Sequence, residues 1–264
     1  MGRRRVMRTR LAALAAATWF AAVAAATWFA ELPAPAAAEP VDLALVLAVD
    51  ASSSVKPWEF DLQMKGLAKA FRDQAVLNAI KSAAPNGMAV TLVQWSSMDA
   101  QVQIFDWALV NDRASAERVA QEIDRAPRVV TGGATAISQA IDFSIRLLLA
   151  VPARRRVIDV SGDGRDNQAG GPITARRRAL AAGVTINGLA ILNEDPTLEL
   201  YYLLQVIAGE GSFVLMADDF DDFADAIRIK LIKEISGAPS ADRRRQPSIF
   251  ATTTPNRGIF GEPG

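Results

Sequence analysis

Between residues 41 and 236 the chain alternates two hydrophobic periods, and that alternation constrains its fold more than any other feature. Val41–Val49 is an apolar run broken only by Asp42, the pattern of a strand buried on both faces. Trp58–Arg72 then sets Phe60, Met64, Leu67, Ala68 and Phe71 at helical spacing. Strand pattern returns at Met88–Trp95 and, more mixed and therefore at an edge, at Val102–Val110. Ala114–Ala126 and Ile137–Leu149 are helical, Arg156–Val160 is a short strand, and Thr174–Ala182 is a helix closed by Gly183. Val184–Ile191 is strand, Thr197–Ile207 helix and Phe213–Met216 a last strand, while Phe223, Ile227, Leu231 and Ile235 stripe a final helix. This order predicts an α/β fold: a doubly wound, mostly parallel central sheet of about six strands, helices on both faces, right-handed crossovers and one antiparallel edge strand.

The flanks differ. Met1–Arg10 is basic, Leu11–Ala30 is uncharged, and Ala36-Ala37-Ala38 stands just before Glu39. That succession reads as a secretory signal peptide over 1–38, cleaved after Ala38, which places the protein in the periplasm or outside the cell. The uncharged stretch nearly matches a bilayer, so an uncleaved leader is the one membrane attachment the sequence suggests. Residues 39–236 form the expected domain. Residues 237–264, rich in Pro, Thr, Gly and Arg, read as a disordered tail.

Composition narrows the chemistry. With no cysteine and no histidine, disulfides, thiolate metal sites and thiol nucleophiles are excluded, and the commonest general base is missing. Any metal must be held by oxygen. Residues 39–236 carry 20 basic and 26 acidic side chains, a balance that argues against nucleic acid as a partner.

In doubly wound sheets ligands sit beyond the carboxyl ends of the strands. After the first strand comes Asp50-Ala51-Ser52-Ser53-Ser54, before the Ile137 helix comes Thr131-Gly132-Gly133-Ala134-Thr135, and after the fourth strand comes Ser161-Gly162-Asp163-Gly164. Three loops thus deliver hydroxyls and carboxylates to one edge. Two carboxylates brought together need a cation or a shared proton, and with Ser and Thr hydroxyls they make a hard oxygen set. Such a set suits Mg²⁺ first, then Mn²⁺ or Ca²⁺.

These three motifs, in this order, resemble those of a von Willebrand factor A domain carrying a metal-ion-dependent adhesion site. The resemblance covers about residues 41–236. It implies that Asp50, Ser52, Ser54, Thr135 and Asp163 hold a divalent cation whose open position accepts a carboxylate from a protein partner. Two departures stand out: Ala134 intervenes in the usual Gly-Gly-Thr, leaving Thr131 as the alternative to Thr135, and Gly162 replaces the hydroxyl residue that usually precedes the third-loop acid. The stretches SGDGRDNQ, GVTINGLAILN and DDFDDFADAIRIKL resemble a family of exported bacterial von Willebrand A-like proteins, which adds an address but no activity.

The resemblance implies a non-enzymatic binding module. A metal-dependent hydrolase or phosphotransferase is the alternative, but the chain has no histidine base, no Walker-type Gly-Lys-Ser/Thr and no lysine in the three loops. A scaffold with an empty site is the third reading. Elsewhere, Asp218, Asp219, Asp221, Asp222 and Asp225 read as a helix start, and Arg154–Arg156 and Arg176–Arg178 as solvated charge. Trp95, Trp107, Tyr201 and Tyr202 read as core or half-buried. Asp166, Asn167, Asn193, Glu194 and Asp195 lie in loops at the metal-side rim and read as solvated, with a part in partner choice as the alternative.

Overall fold

The leading apolar run forms β1 (Val41–Asp50), in which every residue from Asp42 to Asp50 is buried. The structure is a computed structural model and describes residues 39–168 and 170–237; the leader over 1–38 and nearly all of the tail fall outside them. β1 pairs in parallel with β2 (Met88–Trp95) on one side and β5 (Ala153–Gly162) on the other. β6 (Val184–Ile191) and β7 (Val214–Ala217) continue the parallel run, giving the order β3-β2-β1-β5-β6-β7 in a seven-stranded sheet.

The seventh strand arises because the expected strand at Val102–Val110 is split. β3 (Gln101–Gln103) pairs antiparallel with Val93–Trp95, and β4 (Ala108–Val110) with Met88–Val90. Between them Ile104 N–H donates to Leu92 O at 2.8 Å, and Thr91 Oγ1 donates to Phe105 O at 2.5 Å, so the chain bows outward without leaving the edge.

Alternation along β1 decides which helices lie on which face. Leu43, Leu45, Leu47 and Val49 belong to one core, with α1 (Pro57–Arg72), α2 (Gln74–Ala83), α3 (Arg113–Arg125) and α7 (Phe223–Ser236). Ala44, Val46 and Ala48 belong to the other, with α4 (Ile137–Leu149), α5 (Pro172–Ala181) and the short α6 (Leu198–Tyr201). Helix α2 was not expected. Asp73 starts it by accepting from Ala75 N–H at 2.8 Å and Val76 N–H at 3.3 Å. The single helix expected over Thr197–Ile207 is α6 running into a π-helical stretch, Tyr202–Val206, closed by Ile207 N–H donating to Tyr202 O at 3.0 Å. Among the described residues no helix is long and apolar enough to cross a membrane.

The reading of Arg154–Arg156 as solvated charge needs correction at two of its three positions. Arg155 and Arg156 are partly buried and hold helix ends. Arg155 donates to Glu234 O and Ile235 O at 2.8 and 2.6 Å, and Arg156 to Leu148 O and Val151 O at 3.1 Å each. Leu148 O and Glu234 O also accept from the Val151 and Gly237 N–H groups at 3.2 and 3.4 Å, so the two guanidinium groups add donors to helix ends that are already partly capped. Inside, Lys230 is fully buried and bridges Asp159 at 2.6 Å and Glu234 at 2.8 Å. Burial and the neighbouring Asp159 push Glu234 up to about 8.

Candidate metal centre

The parallel strands deliver their loops to one edge. Asp50 is the last residue of β1, opposite Trp95 at the end of β2, and Asp163 directly follows β5. The first loop turns at once, because Asp50 Oδ1 accepts the Ser52 N–H at 2.8 Å, an Asx turn. This turn brings Ser52 Oγ to 3.2 Å from Ser54 Oγ, and Ser54 Oγ donates to Asp163 Oδ1 at 2.6 Å. A chain of hydroxyls therefore joins the first loop to the third across 109 positions of sequence.

The second loop is sewn to both. Ser53 N–H donates to Gly133 O at 3.1 Å and Gly133 N–H to Ser53 Oγ at 2.8 Å. Gly132 and Gly133 have φ of 71° and 96°, a left-handed conformation that lets the loop fold back here. Thr135 exchanges hydrogen bonds with Asn167: its N–H donates to Asn167 Oδ1 and its O accepts from Asn167 N–H, both at 2.9 Å. Thr135 is buried, and its Oγ1 lies 3.5 Å from where a Cβ on Gly164 would stand, whereas Thr131 is exposed. Thus Thr135 is the buried second-loop hydroxyl, next to the third loop at Gly164, and Thr131 is exposed.

The electrostatics of this cluster are unusual. Asp50 and Asp163 are fully buried, and among the described residues Asp50 Oδ2 and Asp163 Oδ2 have no hydrogen-bond partner. Burial, and then the charge of Asp163, push Asp50 up to about 7. Burial also raises Asp163, with Glu59 and Glu194 adding to it. Two buried, unpartnered carboxylate oxygens are costly unless something positive compensates them. The hydroxyls of Ser52, Ser54 and Thr135 are neutral oxygen donors, and Gly162 leaves space on the third loop, since a Cβ there would stand 2.7 Å from Asp50 Oδ2. The set fits a hard divalent cation.

Four residues outside the expected ligand set shape the site: Arg128, Gln63 and Gln94, for which the sequence carries no signal, and Tyr202, expected only as a core aromatic. Arg128 donates to Ala51 O at 2.9 Å and Ser52 O at 3.1 Å, and it stacks over Phe60 at 5.2 Å. Gln63 Nε2 donates to Asp50 O at 3.3 Å, and Gln94 holds the second loop by accepting from the Val129 and Val130 N–H groups. Tyr202 is fully buried with its hydroxyl facing the carboxylates, whose charges add to burial in holding the phenol well above its ordinary range. Conversely, Asp166 is turned inward: it accepts from Ser138 N–H at 2.8 Å at the start of α4 and from Gln168 N–H at 3.0 Å. Asn167 stays exposed while its Oδ1 and N–H engage Thr135. Asp195 is paired with Arg165 at 2.7 Å.

A family model described as "Protein of unknown function (DUF1194)" matches residues 40–239. No curated protein matches the sequence. Among solved structures, proximal thread matrix protein 1 from the mussel byssus is similar at 18% identity, with a TM-score of 0.54 over 75% of this chain and 47% of its own. A second structure of that protein, "with zinc occupied MIDAS motif", gives 14% identity and a TM-score of 0.53 over 75% and 49%. A von Willebrand factor type A protein from Catenulispora acidiphila matches at 14% identity and TM-score 0.54, over 74% and 43%. The pilus adhesin SpaC from Lactobacillus rhamnosus GG matches at 14% and 0.54, over 76% and 31%. The chain spans less than half the length of each of these relatives. At these identities the likeness establishes a von Willebrand factor A-like fold.

Proposed function

The chain belongs to the DUF1194 family, and from that premise and the site's geometry we propose that it is an exported, non-enzymatic module that binds a protein partner through a divalent cation. The cation, Mg²⁺ before Mn²⁺ or Ca²⁺, is held by Asp50, Ser52, Ser54, Thr135 and Asp163. One observation carries the reading: two fully buried carboxylates on different loops each keep an oxygen without a partner among the described residues, and the Ser52–Ser54–Asp163 hydroxyl chain ties those loops together. The zinc-occupied motif of the mussel protein and the adhesin among the similar structures support it at the level of fold.

When bound, the ion supplies a positive position at which an oxygen ligand can exchange. The chain's own groups do the rest. Asp50 and Asp163 balance charge, the three hydroxyls complete a hard oxygen set, and Arg128 and Gln63 fix the backbone of the first loop. Five side chains fall short of the six oxygens Mg²⁺ prefers, so a position is left for water or for a carboxylate presented by the partner. Asp166 braces the loops from within, so the partner's remaining contacts come from exposed rim residues such as Asn167 and Glu194.

Calorimetry with Mg²⁺ tests this. One site is expected, lost in Asp50→Ala and in Asp163→Ala. Capture from the native envelope should then depend on Mg²⁺ and fail in chelator and in the Ser52→Ala/Ser54→Ala double variant. Unchanged Mg²⁺ binding in both aspartate variants would overturn the assignment.

A further inference from the structure

Tyr202 is a fully buried phenol whose hydroxyl has no hydrogen-bond partner among the described residues. Buried tyrosine hydroxyls usually find a partner, so a phenol left without one asks for an explanation.

Its placement required accommodation at two points of the sheet. A Cβ on Gly188 of β6 would stand 2.6 Å from Tyr202 Cδ1. A Cβ on Gly162 of β5 would stand 3.1 Å from Tyr202 Oη and 2.7 Å from Asp50 Oδ2. Glycine within a strand weakens it and marks close approach by another group. Here both strand glycines clear the path of one ring, which passes β6 at Gly188 and ends over β5 at Gly162. The backbone carrying the ring is adjusted too. Tyr202 opens the π-helical stretch, an irregularity that recurs at functional sites.

The result is that Tyr202 Oη and Asp50 Oδ2 border the same side-chain-free space at Gly162. A phenol O–H is a donor and a carboxylate oxygen an acceptor, so the two are complementary. They are not hydrogen-bonded to each other as they stand, but both lie within 3.1 Å of the same point, near enough for one water to bridge them.

We propose that Tyr202 is a positioning residue of the cation site, its O–H donating to Asp50 Oδ2 across the space at Gly162 and orienting that carboxylate toward the ion. The inference rests on the reading of Asp50 and Asp163 as cation-holding groups. Outer hydrogen-bond donors of this kind typically change metal affinity about 10–100-fold when removed.

Tyr202→Phe removes one oxygen atom and keeps the ring. Mg²⁺ affinity by calorimetry and the melting temperature in chelator are measured for the wild type, Tyr202→Phe and Asp163→Ala. The expected result is Mg²⁺ affinity about tenfold weaker in Tyr202→Phe, with a metal-free melting temperature equal to or above that of the wild type, since an unpartnered hydroxyl is costly to bury. Wild-type affinity in Tyr202→Phe, with binding lost in Asp163→Ala, overturns the inference and leaves the site standing. Weaker affinity together with a lowered metal-free melting temperature assigns the hydroxyl a packing role and also overturns it. Wild-type affinity in Asp163→Ala removes the cation site and the inference with it.

Discussion

Asp50 should make the metal-free protein less stable as pH rises, and bound cation should cancel the effect. Asp50 is fully buried, and its folded-state pKa is about 7 against an ordinary 3.8, through burial first and the charge of Asp163 second. The folded state therefore holds the proton more tightly than the unfolded chain does. That stabilisation is complete below about pH 4 and is lost as pH rises through 7. Between pH 5 and pH 8 linkage gives a loss of about 2.5 kcal/mol from this group alone, or about 5–10 °C in melting temperature for a domain of this size. Glu234, pushed up to about 8, adds a loss of the same sign beginning in the same window, so the wild-type slope by itself does not isolate Asp50. Asp50→Asn does, because the amide keeps an acceptor for the Ser52 N–H but cannot ionise. Urea melts in chelator at several pH values should show the variant's profile flatter than the wild type's by about that amount. Saturating Mg²⁺ holds Asp50 ionised, so the wild type should then lose this share of its pH dependence, and Mg²⁺ affinity should fall about tenfold per pH unit below 7. Identical slopes for wild type and Asp50→Asn in chelator would refute the reasoning.

Three further outcomes are expected. Lys230→Met should cost about 3–5 kcal/mol, because it leaves Asp159 and Glu234 buried without their shared cation; denaturant melts check this, and a loss below about 1 kcal/mol would contradict it. Gly188→Ala should destabilise by about 1–3 kcal/mol through the clash with the Tyr202 ring and should weaken Mg²⁺ binding in parallel; a variant that melts and binds like the wild type would show that the ring can yield. Export predicts that envelope material begins at Glu39, which N-terminal sequencing tests; intact Met1 on soluble cytoplasmic protein would refute both the address and the cleavage.

The sheet was legible because its central strands are nearly uninterrupted apolar runs, and the three loops because hydroxyls and carboxylates at strand ends have few structural uses that recur together. Helix α2 was hidden because only Val76, Ala79 and Ile80 are buried along it, too few to set a period. The split into β3 and β4 depends on Thr91 and Leu92 of the neighbouring strand, which no local pattern encodes. Asp166 looks like a solvated loop residue, and only tertiary folding turns it inward onto Ser138. Lys230 and Glu234 are spaced like an exposed helix pair; their burial follows from Asp159 on β5. Tyr202 reads as an ordinary core aromatic. The available signal was Gly162, where the resembling domains usually carry a hydroxyl, together with Gly188 inside an otherwise strong strand.

The central claim is that Asp50 and Asp163 share a divalent cation. The most direct measurement is anomalous diffraction from crystals of the protein soaked in Mn²⁺. One strong peak is expected between the two carboxylates, within bonding distance of the Ser52, Ser54 and Thr135 hydroxyls or of waters they hold, and no such peak in Asp163→Ala crystals. Saturating Mn²⁺ with no peak there, or a peak that persists in Asp163→Ala, would contradict the claim.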